Sequence, residues 1–263
     1  MSGSQPSIVA LIPARSGSKR IEHKNIRRLG PHPLMAYSIA SALQSGIFKS
    51  VVISTDSPEY ASIGEHYGAE VPFLRPVEKS GDRSPDIEWI DFTLKELLAL
   101  GRKYDCFSIL RPTSPFRLAE TINRAWMEFL EDEDADSLRA VEKCSQHPAK
   151  MWFIEENRMK PVLEGQNNSV PWHNSQYQTL PEVYSQNASL EIAWTRVIIQ
   201  QHSISGNQIM PFFTRGFEGF DVNREDDWEH ASYLLEQKMV QLPRLQSTPY
   251  KLNQIILDRT NNG

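Results

Sequence analysis

Cationic side chains are concentrated in one short stretch near the N-terminus. Residues 12–25 read IPARSGSKRIEHKN and include Arg15, Lys19 and Lys24. Gly17 and the neighbouring serines allow the backbone to approach a ligand closely, and the exposed N–H groups of such a loop form a cradle for anions. With the added cationic charge, the loop suits a triphosphate; the alternative interpretation is a solvated basic loop.

Two common phosphate-binding motifs are missing from the sequence. It contains no GxxxxGK[ST], and no GxGxxG follows the first apolar run. The sequence therefore supports neither a P-loop ATPase nor a dinucleotide-dependent dehydrogenase.

The segments that must position this loop are typical of an α/β fold. Short, continuous apolar runs predict parallel strands buried on both faces, and helical patterns lie between them. Such alternation implies a mostly parallel sheet, which binds ligands outside the carboxyl ends of its strands, where the basic loop begins. The predicted strands are 8–12, 51–55 and 106–110, and the predicted helices are 33–44, 58–67, 85–100, 119–131 and 226–239. Ser84 is the predicted N-cap of the third helix, with Pro85 at its first position.

The alternating pattern breaks after about Val141. Residues 144–188 contain four prolines, and 151–163 reads as a hairpin with its turn at Glu156-Asn157. We interpret 144–188 as an insertion within a domain covering 7–240, after which 189–194 returns to the sheet. The polar tail, 241–263, is expected to pack loosely.

Composition limits the class of protein. The 263 residues carry a net charge of −5, which argues against a nucleic-acid-binding protein. The two cysteines form no CxxC pair, which favours a reducing, cytoplasmic setting. No apolar stretch approaches the roughly 20 residues of a membrane span, and we expect neither a signal peptide nor a membrane partner.

The segment PARSGSKRIEHKNIRRLGPHPLMAYSI at 13–39 resembles the N-terminal signature of the acylneuraminate cytidylyltransferases, the CMP-sialic acid synthetases. The family pattern is close to PARxGSKxIxxKNxxxxxxxPLxxYxI. Four later segments resemble the family in order, so that the resemblance covers roughly 8–240: VVISTD, FLRPVEKSGDRSPD, ILRPTSPFR and FDVNREDDW. It implies a three-layer, Rossmann-like nucleotidyltransferase with a mostly parallel central sheet and an inserted dimerisation subdomain.

The resemblance also implies a reaction. The family joins CTP to a nine-carbon keto-acid sugar, releasing pyrophosphate and using Mg²⁺ as the cofactor. The resemblance assigns catalytic roles to Arg15, Lys24 and Asp221, and it places Lys19 against the leaving pyrophosphate. The implied nucleotide-binding residues are Ala14, Arg15, Gly17, Ser18, Lys19, Lys24, Asn25, Arg75, Ser84 and Asp86.

The implied metal ligands are Asp221 and Asn223. They are two positions apart, so on an extended segment their side chains point the same way. The family usually has two aspartates here. The Asn223 amide oxygen can still bind Mg²⁺, but without charge, and we expect a weaker site. The acidic residues at 225–227 are interpreted instead as the first turn of a helix.

The predicted sugar site departs from the family pattern. Arg111 replaces a glutamine that contacts the sugar, and Tyr177 and Ser185 occupy positions where the family has arginines. Asn187 is retained, and Tyr177, Asn187 and Arg111 form the predicted sugar-binding set. Our hypothesis is that Arg111 holds the sugar carboxylate, so that Arg111→Ala would raise the KM for the sugar far more than that for CTP; a surface charge is the alternative.

These departures leave other readings open. Legionaminate-type and pseudaminate-type acids are candidate acceptors alongside N-acetylneuraminate. A non-catalytic homologue that binds CTP or a sugar nucleotide, and a nucleotidyltransferase for a different sugar, are the alternatives. The resemblance further implies a homodimer, with apolar residues such as Trp152 and Phe153 of the insertion at the interface.

Overall fold

The computed structural model describes residues 5–81, 83–165 and 170–251. The strands in this part of the chain are β1 Ile8–Pro13, β2 Arg28–Leu29, β3 His32–Pro33, β4 Ser50–Ser54, β5 Cys106–Ile109, β6 Ser137–Lys143, β7 Trp152–Glu155, β8 Arg158–Pro161, β9 Tyr184–Trp194 and β10 Ile209–Phe213. The α-helices are α1 Leu34–Ser45, α2 Pro58–His66, α3 Asp86–Ala99, α4 Ala119–Glu131, α5 Thr195–Gln201 and α6 Glu225–Glu236.

A mostly parallel six-stranded sheet forms the centre of the fold, in the order β10-β6-β9-β5-β1-β4. β1 pairs in parallel with both β4 and β5, and β9 returns antiparallel to β5 with Glu191 opposite Ile109. Alternate residues of β1 belong to different apolar clusters: Ile8 packs with residues of α1 and α4, whereas Val9 packs with residues of α3. Because the sheet is covered on both faces, the predicted three-layer α/β fold is confirmed.

Both edges of this sheet are interrupted. On the outer side of β4, the backbone N–H of Glu70 donates to the Val51 carbonyl (2.8 Å), and its carbonyl accepts from the Ile53 N–H (3.0 Å). At the other edge, Pro211 occupies the middle of β10 and has no N–H to donate.

The predicted start of the third helix is wrong by one position. α3 begins at Asp86, and Pro85 is the N-cap, in an extended conformation with φ −61° and ψ 147°. Ser84 does not cap the helix, because its Oγ donates instead to the Glu78 carbonyl at 3.2 Å.

Residues Val141–Gln186 form a second compact unit. Within it β7 and β8 pair as an antiparallel hairpin, from Trp152 opposite Pro161 to Glu155 opposite Arg158. The two turn residues between the strands, at 156 and 157, have φ values of 46° and 61°. Two successive left-handed residues are the geometry of a tight hairpin turn, so the predicted turn is confirmed.

The described part of the tail packs against the main unit, unlike the loose packing expected from its polarity. The His66 ring bonds the Thr248 carbonyl at 2.8 Å, and the Tyr250 N–H donates to the Tyr67 hydroxyl at 3.0 Å. Leu245 packs against two of the apolar clusters. A few apolar side chains therefore anchor residues 241–251, although the segment has no regular secondary structure.

We expect Leu245→Ala to lower the free energy of unfolding by about 1–2 kcal/mol, because a partly buried leucine is lost from two clusters. Urea unfolding followed by circular dichroism measures this change. Leu98→Ala is the matched control, since Leu98 is 56% exposed; its effect should stay within about 0.5 kcal/mol. A loss below about 0.5 kcal/mol in Leu245→Ala, the range expected for the control, would contradict an anchoring role for Leu245.

None of the helices in the described residues has the length and apolar content that crossing a bilayer requires.

Candidate active site

The basic loop after β1 is tied to the protein at several points. The N–H and Oγ of Ser16 both donate to the Asp56 carboxylate, each at 2.9 Å. The buried Asn25 donates from Nδ2 to the Arg15 carbonyl at 3.0 Å, which closes the loop on itself. Arg15 reaches the Ser80 carbonyl through Nη1 at 3.2 Å. The loop is therefore a fixed cradle, in which Asn25 acts by shaping the backbone.

A cleft of about 410 Å³ lies where β1 and β5 end, as predicted for an open parallel sheet. In the described residues, its lining contains more cationic side chains than carboxylates. The cations are Arg15, Lys19, Arg20, Lys24, Arg75, Lys79 and Arg111; the carboxylates are Asp86 and Asp221. Such a balance attracts a polyanion into the cleft.

Arg75 is a buried arginine of the cleft with unused hydrogen-bond donors. Its side chain is buried, and its Nε and Nη2 atoms have no hydrogen-bond partner. Burial lowers the pKa of Arg75, and the nearby Asp56 only partly offsets this effect. A buried guanidinium with unused donors costs free energy unless a ligand supplies acceptors, which a phosphate does.

Lys24 connects the basic loop to the segment before α6. Its Nζ donates to the Val222 carbonyl at 2.8 Å. Burial lowers the pKa of Lys24, while the negative charge of Asp221 acts in the opposite direction. The contact places an ammonium group beside the predicted metal ligands, although 197 positions separate Lys24 from Asp221 in the sequence.

Asp221 and Asn223 have the donor set of a magnesium site. Oδ1 of Asp221 is buried without a hydrogen-bond partner, and Oδ2 accepts a hydrogen bond from Asn223 Nδ2. That bond leaves the Asn223 amide oxygen available beside an unused carboxylate oxygen. In the described residues, no group of three His, Cys, Asp or Glu side chains could hold a metal. The oxygen donors of the pair are of the kind that Mg²⁺ binds, and this ion takes few protein ligands and completes its shell with water and phosphate oxygens.

Arg111 lies at the centre of a chain of opposite charges. Its Nη2 donates both to Asp86 Oδ2 at 2.6 Å and to Glu191 Oε1 at 3.0 Å. Arg139 holds the other oxygen of Glu191, and the Trp89 indole donates to Asp86 Oδ1 at 2.8 Å. We call Asp86, Arg111, Arg139 and Glu191 the charge quartet. Its two cations balance its two carboxylates.

Most of the residues predicted for the site line this cleft, but four do not. Ala14 is buried beneath the loop, where its N–H donates to the Ser54 carbonyl at 2.9 Å, and Gly17 is exposed. Asn187 uses its amide on Thr214 and Ser189, and its neighbour Ala188 lines the cleft instead. Tyr177 belongs to the second unit, where its ring contacts His147. The roles predicted for all of the site residues, inside the cleft or outside it, stay predictions.

The structure adds residues that the sequence reasoning missed. Asp56 holds the loop, Glu191 and Arg139 complete the charge quartet, and Trp89 and Lys79 line the cleft. A signal for Glu191 was present, because it is the single charged residue in the apolar run SLEIAW. Such a residue in a buried strand requires a partner, but the sequence does not show which one.

Comparison with known proteins identifies the family. The model of the Cytidylyltransferase family matches residues 9–131. Over 232 residues, 87% of this chain and 96% of the relative, the chain is 34% identical to CMP-N,N'-diacetyllegionaminic acid synthase of Legionella pneumophila. The chain belongs to the sialic-acid-type cytidylyltransferase family. The resemblance read from the basic loop is thereby confirmed.

Two further matches agree with this cytidylyltransferase assignment. Over 110 residues the chain is 46% identical to N-acylneuraminate cytidylyltransferase of Escherichia coli, which covers 42% of this chain and 25% of that protein. A solved structure of CMP:2-keto-3-deoxy-manno-octonic acid synthetase complexed with CTP superposes with a TM-score of 0.66 at 13% identity, covering 88% of this chain and 99% of that one. At that identity the superposition shows that the fold is shared.

Proposed function

We propose that this cytidylyltransferase transfers CMP from CTP to the anomeric hydroxyl of a nonulosonic, sialic-acid-like sugar acid. The observation that carries the proposal is the cleft at the ends of β1 and β5. It combines a buried arginine, Arg75, two of whose nitrogens have no hydrogen-bond acceptor, with a buried oxygen of Asp221 that has no hydrogen-bond donor. A nucleoside triphosphate with its divalent cation satisfies both groups.

The reaction requires positioning and charge neutralisation more than a covalent intermediate. The anomeric oxygen forms a bond to the α-phosphorus as the bond to the β-phosphate oxygen breaks, and pyrophosphate leaves. In this proposal Arg15, Lys24 and Arg75 bind the triphosphate. Lys19, at the exposed end of the loop, faces the pyrophosphate.

Asp221 and Asn223 would hold Mg²⁺ in this proposal. The ion would neutralise phosphate charge as it develops on the leaving group. The part played by the protein is to keep the Asp221 carboxylate unpaired on one oxygen and oriented by Asn223 on the other.

A legionaminate-type acid is the first candidate acceptor. Its support is the 34% identity to the Legionella enzyme over nearly the whole length of both chains. Pseudaminate and N-acetylneuraminate are the competing acceptors.

We also propose a cytoplasmic homodimer. The hairpin of the second unit exposes Phe153, Ile154 and Met159, each more than half exposed, and a second copy of the chain would cover such apolar groups. Light scattering on the purified protein measures the subunit number.

The deciding experiment is pyrophosphate release from CTP and Mg²⁺, with legionaminate, pseudaminate, N-acetylneuraminate and 3-deoxy-manno-octulosonate supplied separately. We expect turnover with one nine-carbon acid. CTP binding without turnover on any acid would instead favour the non-catalytic homologue. Turnover with a neutral sugar 1-phosphate would indicate a nucleotidyltransferase for a different sugar.

A further inference from the structure

The hydrogen bonds of Arg111 limit what this residue can do for a ligand. A guanidinium holds a carboxylate at two points through adjacent N–H groups, and both such pairs include a hydrogen on Nη2. In this structure Nη2 bonds Asp86 and Glu191, which uses both of its hydrogens. A ligand carboxylate can be held at two points only if one of these protein carboxylates is displaced.

The carboxylates that hold Arg111 are themselves fixed. Glu191 is buried in the sheet, and its second oxygen bonds Arg139 of β6. Asp86 is the first residue of α3 and also accepts from Trp89. Although burial alone raises the pKa of Asp86, the charge and hydrogen bond of Arg111 hold that pKa below its usual range. The charge quartet therefore joins β6, β9, the end of β5 and the start of α3.

The charge quartet ends at a wall of the cleft that faces the basic loop. Asp86, Trp89 and Ser84 line the same cleft as Arg15 and Arg75. Arg75 also lies over the Trp89 ring, with 5.7 Å between its guanidinium carbon and the ring centre. Because Trp89 contacts both residues, a displacement of Asp86 would shift the Trp89 ring and with it the guanidinium of Arg75.

We propose that Glu191 and Arg139 are positioning residues that hold Arg111 against Asp86, so that Arg111 forms part of the nucleotide-binding wall rather than the anion site for the acceptor. This inference rests on the proposed function and refines it. The carboxylate of the sugar acid then meets cations outside the quartet. The proposal thus replaces the role first expected for Arg111, which was to bind the sugar carboxylate, with a role that acts through Asp86.

The test compares Glu191→Gln with Arg111→Gln, their double variant and the wild type. Calorimetry gives the Kd for CTP without any acceptor, and steady-state pyrophosphate release gives the KM for each substrate. We expect Glu191→Gln to weaken CTP binding about tenfold, as for one lost charge-assisted hydrogen bond. The double variant should be no weaker than the worse single variant, because both changes break one chain of contacts. The KM for the acceptor should change less than twofold in all three.

A direct role of Arg111 in binding the acceptor gives the opposite pattern. Removing Glu191 would then free Arg111, and the KM for the acceptor would fall in Glu191→Gln and rise in Arg111→Gln, with the Kd for CTP unchanged. That result overturns the proposal. Glu70→Gln is the matched control, since Glu70 forms an exposed ion pair with Arg102 at 2.8 Å; it should leave every constant unchanged.

Glu191→Gln leaves two arginines with one carboxylate, and this excess positive charge could destabilise the fold. A second variant is therefore needed. Glu191→Gln with Arg139→Gln restores neutrality and should show the same loss of CTP affinity; wild-type affinity in this folded variant overturns the proposal. Different results would contradict the proposed function and the positioning role of Glu191 and Arg139. Wild-type protein that binds CTP but turns over no acid contradicts the proposed function, whereas unchanged CTP affinity in the quartet variants contradicts only the positioning role.

Discussion

Lys24→Met is expected to lower kcat/KM for CTP by about 10²–10³-fold, the range found when one preorganised donor is removed from a developing charge. Methionine keeps most of the length of lysine but removes its ammonium group. That group is fixed at 2.8 Å from the Val222 carbonyl, between the basic loop and Asp221. Because it is partly buried, its charge is screened less than that of a surface lysine.

The control for Lys24 is Lys103→Met, which removes the same charge from an exposed position outside the cleft. Initial rates of pyrophosphate release at varied CTP measure both variants. Similar losses in the two would mean that only the overall charge of the protein matters. An unchanged kcat/KM in Lys24→Met would remove Lys24 from the catalytic set.

Asp221→Asn is expected to lower kcat by about 10²–10³-fold and to raise the Mg²⁺ concentration required for half-maximal rate by at least about tenfold, since a metal ligand loses its charge. The variant preserves the shape of the side chain but removes its negative charge and one of its two acceptor oxygens. The structural reason is the buried Oδ1 atom, which has no partner in the protein. A desolvated carboxylate in that state is costly without a cation nearby.

A direct metal measurement separates this explanation from a structural one. Mn²⁺ binding, followed through the relaxation of water protons in the presence of CTP, should weaken in Asp221→Asn. Asp226→Asn is the matched control, because that carboxylate lies in the exposed first turn of α6 and pairs with Arg224 at 2.7 Å. If Asp226→Asn changes Mn²⁺ affinity as much, or Asp221→Asn leaves it unchanged, Asp221 is not a ligand.

The sequence predicts the parts of the fold that local patterns determine. The strand at 8–12 and the helix at 119–131 match β1 and α4 closely, because a continuous apolar run and an amphipathic repeat are strong local signals. The hairpin turn at 156–157 follows from its residue types in the same way. The tail is less readable, since the few apolar residues that anchor it, such as Leu245, show no period.

The residues of the candidate site likewise divide into those that local sequence predicts and those that only the fold brings together. The basic loop is contiguous, so its cations were readable as one group. The charge quartet could not be predicted from the sequence, because it depends on the strand register. That register places Glu191 opposite Ile109, and Ile109 lies two positions before Arg111. A sequence shows that Arg111 is cationic, but not that two carboxylates already occupy one of its nitrogens.

The interrupted edges of the central sheet have a consequence for the behaviour of the protein at high concentration. With Glu70 bonded along β4 and Pro211 within β10, neither edge presents a continuous row of free N–H and C=O groups in the part of the chain that the structure describes. Edge-to-edge joining of two such sheets is thereby disfavoured, and so is fibril-like stacking of strands on these edges. Self-association of the main unit is left to side-chain surfaces, which can form a closed complex of defined size.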